Sequence, residues 1–259
     1  MVTFSFSLQA FEYFLAILMR TASFFFAAPL FGMQGVPARV KLGMAFFLSL
    51  MLYQVLPKAR LDYVDVFGFA VIIVKETIVG LLLGFLTNIC GYIINLAGTF
   101  IDQHIGLSMA AEYNPMTQMQ SAVTGNLYYY LVMILLLTTG LDHYLIQAFA
   151  ETYTLVPVDG VVFHTDSMLQ AMITYMVDAF ILAFRIALPV FACIMILNAI
   201  LGVMAKVAPQ MNMFSVGMQL KIFAGLAVLI LTVQLLPYVS DFIFTEMRRM
   251  TVSLVESLY

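Results

Sequence analysis

Two apolar runs in this chain, residues 64–97 and 168–205, are longer than an ordinary membrane span. As single α-helices rising about 1.5 Å per residue, they would extend roughly 50 Å and 55 Å, against about 30 Å of bilayer hydrocarbon. Four further apolar runs lie at 11–33, 42–56, 122–139 and 213–238. The sequence therefore predicts six helical regions. Pro189 lies inside the 168–205 run, which we interpret as either a bent rod or two helices folded as a hairpin.

The composition places the chain in a membrane. It is 63% hydrophobic and only 10% charged, which is more apolar surface than a soluble core of this size hides. We therefore expect an all-α, polytopic membrane protein. A net charge of −3 provides no basic surface that would follow a phosphate backbone, so nucleic acid is excluded as a partner. No linker or sequence repeat interrupts the chain, which predicts a single domain over residues 1–259.

The charges between the apolar runs do not fix an orientation in the membrane. Arg39 and Lys41 precede the second run while Lys58 and Arg60 follow it, so both of its ends are basic. Residues 140–167 are interpreted as a loop that contains four acidic residues and neither Lys nor Arg. We expect this segment outside the cytoplasm.

Four glycines recur along one side of a predicted helix. Gly80, Gly84, Gly91 and Gly98 fall within about 40° of one another at 100° per residue. A stripe of small residues lets a second helix backbone approach closely. The sequence leaves two interpretations open, which are a packing face within the chain and a contact with another subunit.

Ionisable residues inside the apolar runs are the next candidates. They are Arg20, Lys75, Glu76, Asp178 and Arg185. Charges at membrane depth are costly and generally face partners or water. Asp178 and Arg185 are seven residues apart and share a helix face. We interpret these charges as buried ion pairs that fix packing, with a proton or ion relay as the alternative.

No catalytic or metal-binding arrangement is visible in the sequence. His104, His143 and His164 have no ligand spacing to one another or to Cys90 and Cys193. Nucleophile elbows, paired-carboxylate motifs and phosphate loops are absent as well. The sequence therefore predicts a protein that is not an enzyme and binds no cofactor.

The segment 106–121 is small, polar and rich in methionine, although it lies between two strongly apolar runs. Its candidate residues are Gly106, Ser108, Met109, Glu112, Tyr113, Asn114, Pro115, Met116 and Met119. Irregular backbone at membrane depth is tolerated where it is buried in protein or lines a cavity, and methionine adapts to irregular contents. An exposed connecting loop is the alternative interpretation.

The order and spacing of several motifs resemble the FliR family of flagellar export-gate proteins and its injectisome counterpart SctT. The motifs are Arg20, Ala28-Pro-Leu-Phe-Gly32 and Val36-Pro37; Gly80-Leu-Leu-Leu-Gly-Phe85; Ala97-Gly98, Ile101-Asp102 and Gly106 before Asn114-Pro115; Ala187-Leu-Pro189; and Pro209-Gln-Met-Asn212 with Val216-Gly217 and Lys221. The resemblance covers nearly the whole chain, and its last block is the most specific.

The resemblance implies helical hairpins arranged as a FliP-like portion over about 1–165 and a FliQ-like portion over about 166–259. It implies assembly with FliP-like and FliQ-like subunits and other export-apparatus membrane proteins in the bacterial inner membrane, at the flagellar basal body. Together these would form a conduit for unfolded flagellar proteins. The segment 106–121 lies where the family has its pore-closing plug.

The same resemblance implies a hairpin turn where the last apolar runs are interrupted. The turn comprises Lys206, Pro209, Gln210, Asn212 and Lys221. Proline ends a helix and asparagine can satisfy free backbone groups, which suits such a turn. An injectisome role is the alternative function. A small-molecule or ion transporter that uses the intramembrane charges as a relay is a further alternative, although it would usually show an internal repeat.

Overall fold

The computed structural model describes residues 8–29, 31, 35–57, 61, 63, 65–110, 112–114, 119–161, 163, 165–210 and 212–257. These ranges contain eight α-helices: α1 Leu8–Ala27, α2 Ala38–Val55, α3 Val66–Ile105, α4 Val123–Thr138, α5 Leu141–Leu155, α6 Thr165–Val207, α7 Met213–Val233 and α8 Leu236–Ser257. A 3₁₀ turn at Leu107–Ala110 and two short strands, β1 Glu112–Asn114 and β2 Met119–Ser121, separate α3 from α4.

The helices confirm the predicted all-α, polytopic membrane class. Five of them, α1, α2, α3, α6 and α7, are long and apolar enough to cross a bilayer. A sixth span results if α4 and α5, which meet at a bend of 71°, are counted as one broken crossing. The strands β1 and β2 are the exception among the described residues.

The two long runs each form one continuous helix. α3 has 40 residues and α6 has 43, with Pro189 inside α6. The hairpin interpretation of the 168–205 run is therefore wrong. A proline removes one backbone hydrogen bond, whereas a chain reversal in apolar surroundings would leave several backbone groups without partners.

The loop interpretation of residues 140–167 is wrong for its first half, which forms α5. Leu141, Leu145, Phe149 and Tyr153 recur every four residues and are buried on one side of this helix. The acidic residues between them lower the average hydropathy, and this concealed the helical period. Only the stretch that follows Leu155 connects α5 to α6.

The chain divides into two compact units that both combine distant parts of the sequence. Unit 1 comprises Met1–Cys90, Gly140–Tyr175 and Thr245–Tyr259, and unit 2 comprises Gly91–Thr139 and Met176–Phe244. The core of unit 1 includes Phe24 stacked on Phe149, with ring centroids 4.5 Å apart. Neither unit is a contiguous half of the sequence, and the predicted division near residue 165 stays a prediction.

Candidate functional site

The segment between α3 and α4 begins with a backbone conformation that ends α3. Gly106 has φ of +98°, in the left-handed region that favours glycine, and its N–H donates to the carbonyl oxygen of Asp102 at 2.9 Å. After the 3₁₀ turn, β1 and β2 pair antiparallel with Glu112 opposite Ser121 and Asn114 opposite Met119. The segment 106–122, which we call the excursion, therefore leaves α3, reverses direction and returns to the start of α4.

A buried carboxylate on α3 joins the two ends of the excursion by binding the first turn of α4. Asp102 on α3 accepts hydrogen bonds from the backbone N–H of Thr124, at 3.2 and 3.3 Å to its two oxygens, and from the Thr124 hydroxyl. Both residues are only 2% exposed. The N-cap residue of α4 is Ala122, whose side chain cannot cap the helix. Asp102 therefore supplies the N-terminal cap of α4 from another helix.

Two glycines bring the backbones of α3 and α4 together beside this cap. A Cβ atom built on Gly98 would lie 2.1 Å from the Cα atom of Gly125, so no larger residue fits at Gly98 without a shift of backbone. Gly125 likewise faces the carbonyl oxygen of Asn95 at 3.2 Å from its own added Cβ. The excursion thus begins and ends at one fixed point in unit 2.

The predicted plug residues are distributed along this tethered excursion. Gly106 and Ser108 are half-buried at its start. Met109 lies in the 3₁₀ turn, while Glu112, Tyr113 and Asn114 form β1 and Met119 begins β2. Pro115 and Met116 lie outside the described residues.

The glycine stripe of α3 packs against other helices of the same chain. A Cβ atom on Gly80 would lie 2.2 Å from the carbonyl oxygen of Arg20, and one on Gly84 would lie 2.5 Å from the Cβ atom of Ala27. Gly80 and Gly84 therefore contact α1, whereas Gly98 contacts α4. Gly91 is also buried. These positions favour the interpretation of the stripe as an intramolecular packing face.

Two of the predicted intramembrane charges form a buried ion pair in unit 1. Arg20 on α1 and Glu76 on α3 are both 0% exposed, and the Arg20 Nε–H donates to a Glu76 carboxylate oxygen. The Arg20 Nη1 group also donates to the carbonyl oxygen of Val156 at 2.9 Å, and the other Glu76 oxygen accepts from the backbone N–H of Asp159 at 3.2 Å. The pair thus joins α1 and α3 to the stretch that follows α5.

An aromatic ring completes this junction. The guanidinium carbon of Arg20 lies 4.3 Å from the ring centroid of Tyr153, in a cation–π contact. The Tyr153 hydroxyl donates to the carbonyl oxygen of Ile17 at 3.3 Å. Arg20 Nη2 is buried and has no hydrogen-bond partner in the described part of the chain. The charge is therefore neutralised inside the chain, which suits a packing role better than a relay.

The other three predicted charges are not buried pairs. Lys75 and Asp178 are half-buried, and Arg185 is exposed. Among the residues that the structure describes, no ion pair joins Asp178 to Arg185. Seven residues correspond to about 10.5 Å along a helix, which is too far for the two side chains to meet when one points outwards. A shared face was therefore not sufficient evidence for a pair.

The predicted hairpin turn joins α6 to α7, with Pro209, Gln210 and Asn212 between the helices, Lys206 in the last turn of α6 and Lys221 inside α7. Pro209 and Gln210 follow the end of α6, and Asn212 caps α7 by accepting from the backbone N–H of Ser215 at 3.4 Å. Lys206 is exposed and Lys221 is half-buried. The two helices pack just beyond the turn, because a Cβ atom on Gly217 would lie 3.3 Å from Leu201. The interrupted apolar stretch is therefore a helical hairpin.

The sequence patterns assigned no role to the residues that hold the excursion, chiefly Asp102, Thr124 and Gly125, although Asp102 is part of a motif that carries the resemblance. Asp102 is a carboxylate at the end of a long apolar run, and that signal alone marks a functional candidate. Its partner lies 22 positions away, and no spacing rule connects the two. In the described ranges, no group of three or more His, Cys, Asp or Glu side chains could hold a metal ion.

Comparison with known proteins identifies relatives along almost the entire chain. The family described as "Bacterial export proteins, family 1" matches residues 11–247. Flagellar biosynthetic protein FliR of Bacillus subtilis is 30% identical over 225 residues, which cover 86% of each chain. The proteins of the same name in Escherichia coli and Aquifex aeolicus are 25% and 29% identical, over 93% and 84% of this chain and 92% and 83% of theirs. This chain therefore belongs to the FliR family of bacterial export proteins.

Proposed function

We propose that this protein is a non-enzymatic core subunit of the flagellar type III protein export gate. It assembles with FliP-like and FliQ-like subunits, and with other membrane proteins of the export apparatus, in the bacterial inner membrane at the flagellar basal body. Together the subunits form the conduit through which unfolded flagellar proteins leave the cell. Family membership supports the export role, and the flagellar names of the relatives above favour it over an injectisome role.

The observation that carries the proposal is the tethered excursion between α3 and α4. A pore-closing element must move without losing its anchor, so both of its ends need fixed attachment. The Asp102–Thr124 hydrogen bonds and the Gly98–Gly125 backbone contact supply that attachment. The paired strands β1 and β2 hold the two arms of the segment together between these ends. Its methionines supply adaptable apolar contacts.

In this proposal the segment closes the conduit by exchanging contacts. At rest it contacts the walls of the pore, and an arriving unfolded chain replaces those contacts with its own. A ligand shifts such an equilibrium only by its differential affinity for the open state. The closed state should therefore lie only a few kcal/mol below the open one, so that a substrate is able to displace the segment.

A deletion tests the proposal directly. Removal of residues 110–120 from the co-expressed complex should make planar bilayers conduct small ions, because the pore loses its closing element. Assembly should persist, since α3 and α4 keep their contact at Gly98 and Gly125. The control replaces the same residues with an equal number of alternating glycines and serines, which restores chain length without methionine and should leak less than the deletion.

Two results would contradict the proposal. If the deletion variant assembles and stays as tight as the parent complex, the segment is an ordinary connector. If the parent chain purifies alone as a monodisperse protein and never joins FliP-like or FliQ-like subunits, the chain is not a subunit of the gate.

A further inference from the structure

The helix α6 carries a long exposed apolar surface in unit 2. Between Met176 and Val207, exposed side chains recur every three or four residues, and they include Phe180, Leu188 and Ile196. We call this surface the α6 stripe. Two exposed basic residues lie along it: Lys206 at its C-terminal end, and Arg185, which lies well inside the stripe beside the exposed Phe184 and Leu188.

The α6 stripe is too long to be covered by lipid alone. From Met176 to Val207 it extends about 46 Å at 1.5 Å per residue. At a tilt of about 40°, the upper end of the usual range, it still projects roughly 35 Å along the membrane normal. Bilayer hydrocarbon is about 30 Å thick. Some of the stripe therefore lies outside the hydrocarbon in any placement, where exposed apolar side chains need a protein partner.

Arg185 is a second reason why lipid alone does not suit the α6 stripe, because its charge is unfavourable in hydrocarbon. If the bilayer covers the middle of the stripe, a guanidinium group faces hydrocarbon, which is strongly unfavourable. If the bilayer edge lies at Arg185 instead, the apolar residues on one side of it face water. Long basic side chains reach the interface only from near the end of a span. A protein surface with a carboxylate would pair with Arg185 and also cover the apolar residues on both sides of it.

We propose that an apolar helix of another export-gate subunit covers the α6 stripe and presents an aspartate or glutamate to Arg185. This inference rests on the proposed function and adds the residue that sets the contact. Apolar packing alone permits many registers along a stripe of this length. One ion pair in an apolar interface fixes a single register, because every other alignment leaves both charges without partners.

Cross-linking at Leu188 identifies what covers the stripe. Leu188 is 44% exposed and lies one helical turn from Arg185. A photoreactive phenylalanine derivative at this position, in the chain co-expressed with the FliP-like and FliQ-like subunits of the same bacterium, should cross-link to one of those subunits. Mass spectrometry should locate the adduct on an apolar helix with a carboxylate within about one turn.

Charge reversal then tests the ion pair itself. Arg185→Glu should lower the yield of assembled complex at least tenfold, whereas Arg185→Lys should retain most of it because the positive charge remains. Arg39→Glu is the matched control, since Arg39 is an exposed arginine outside the stripe, and it should assemble like the parent. Replacing the identified partner carboxylate with arginine should restore assembly of the Arg185→Glu chain.

The inference is overturned by an adduct with lipid only, an adduct between two copies of this chain, or a cross-linked helix without a nearby carboxylate. Normal assembly of the Arg185→Glu chain also overturns it. These outcomes leave the proposed function intact, because the parent complex still forms. If the parent chain forms no complex, the proposed function fails and the inference fails with it.

Discussion

Arg20 and Arg185 are both guanidinium groups inside apolar helices, yet their surroundings are opposite. Arg20 is fully buried and contacts Glu76, Val156 and Tyr153 of its own chain. Arg185 is exposed and forms no ion pair with any residue that the structure describes. The comparison shows two ways of placing a charge in an apolar run. One charge is neutralised by folding of the chain, and in our proposal the other is neutralised by a neighbouring subunit.

Breaking the Arg20–Glu76 pair should have the largest effect on the isolated chain. Arg20→Met and Glu76→Gln should each cost about 3–5 kcal/mol of unfolding free energy, because each leaves the other residue buried without its partner. Combining Arg20→Met with Glu76→Gln should cost less than the sum of the single changes. Unfolding of the purified chain in detergent measures this, and additive losses would show that the two residues act independently.

Substitutions at Gly80, which is in a helix contact, and at Gly202, which is exposed, apply the same comparison to helix packing. Gly80→Ala should destabilise the chain by about 1–3 kcal/mol, because its Cβ atom would lie 2.0 Å from the Ser23 hydroxyl oxygen. A Cβ atom added at Gly202 on α6 would have no neighbour within 4 Å among the described residues, apart from its own helix backbone. Gly202→Ala should therefore be neutral, or stabilise the chain by up to about 1 kcal/mol through helix propensity. The same unfolding assay compares them. Equal effects of the two changes would mean that α1 does not pack on α3 as described.

Variants of Asp102, which caps α4 from α3, distinguish an effect on stability from an effect on closure of the conduit. Asp102→Ala should cost about 0.5–2 kcal/mol, the usual range for loss of an N-cap. Adding Ala122→Asp places a local cap on α4 and should recover that stability. If Asp102 anchors the excursion, the double variant should still leak ions in planar bilayers, since the link from α3 to α4 is absent. A double variant that is both stable and tight would limit Asp102 to capping.

Arg185→Leu should have the smallest effect on the isolated chain. An exposed side chain without an internal partner contributes within about 0.5 kcal/mol of unfolding free energy, so the detergent-solubilised chain should unfold like the parent. The contrast with Arg20→Met is what this variant tests. A loss comparable to that of Arg20→Met would place the partner of Arg185 inside the chain.

Local patterns predicted the helices but not their ends or partners. Six apolar runs anticipated the spanning helices, and the period of the glycines predicted a packing face on α3, for which the contacts of Gly80, Gly84 and Gly98 favour helices of the same chain. The helix α5 was missed because its acidic residues lowered the average hydropathy, although Leu141, Leu145, Phe149 and Tyr153 had the required spacing. Periodicity within one face was the better guide there, since a half-buried helix needs only one apolar side.

The sequence by itself determined that this chain enters a membrane as long helices, because so apolar a composition has no other stable place. It also marked the charges that needed partners, since burying an ion is costly wherever the chain folds. Only the tertiary structure decided which partners they have. Arg20 pairs with Glu76 from a distance of 56 residues, and Asp102 caps a helix 22 residues away, whereas Asp178 and Arg185 share a face and do not pair. Such pairings depend on how helices pack in space, and spacing along the sequence carries no information about that.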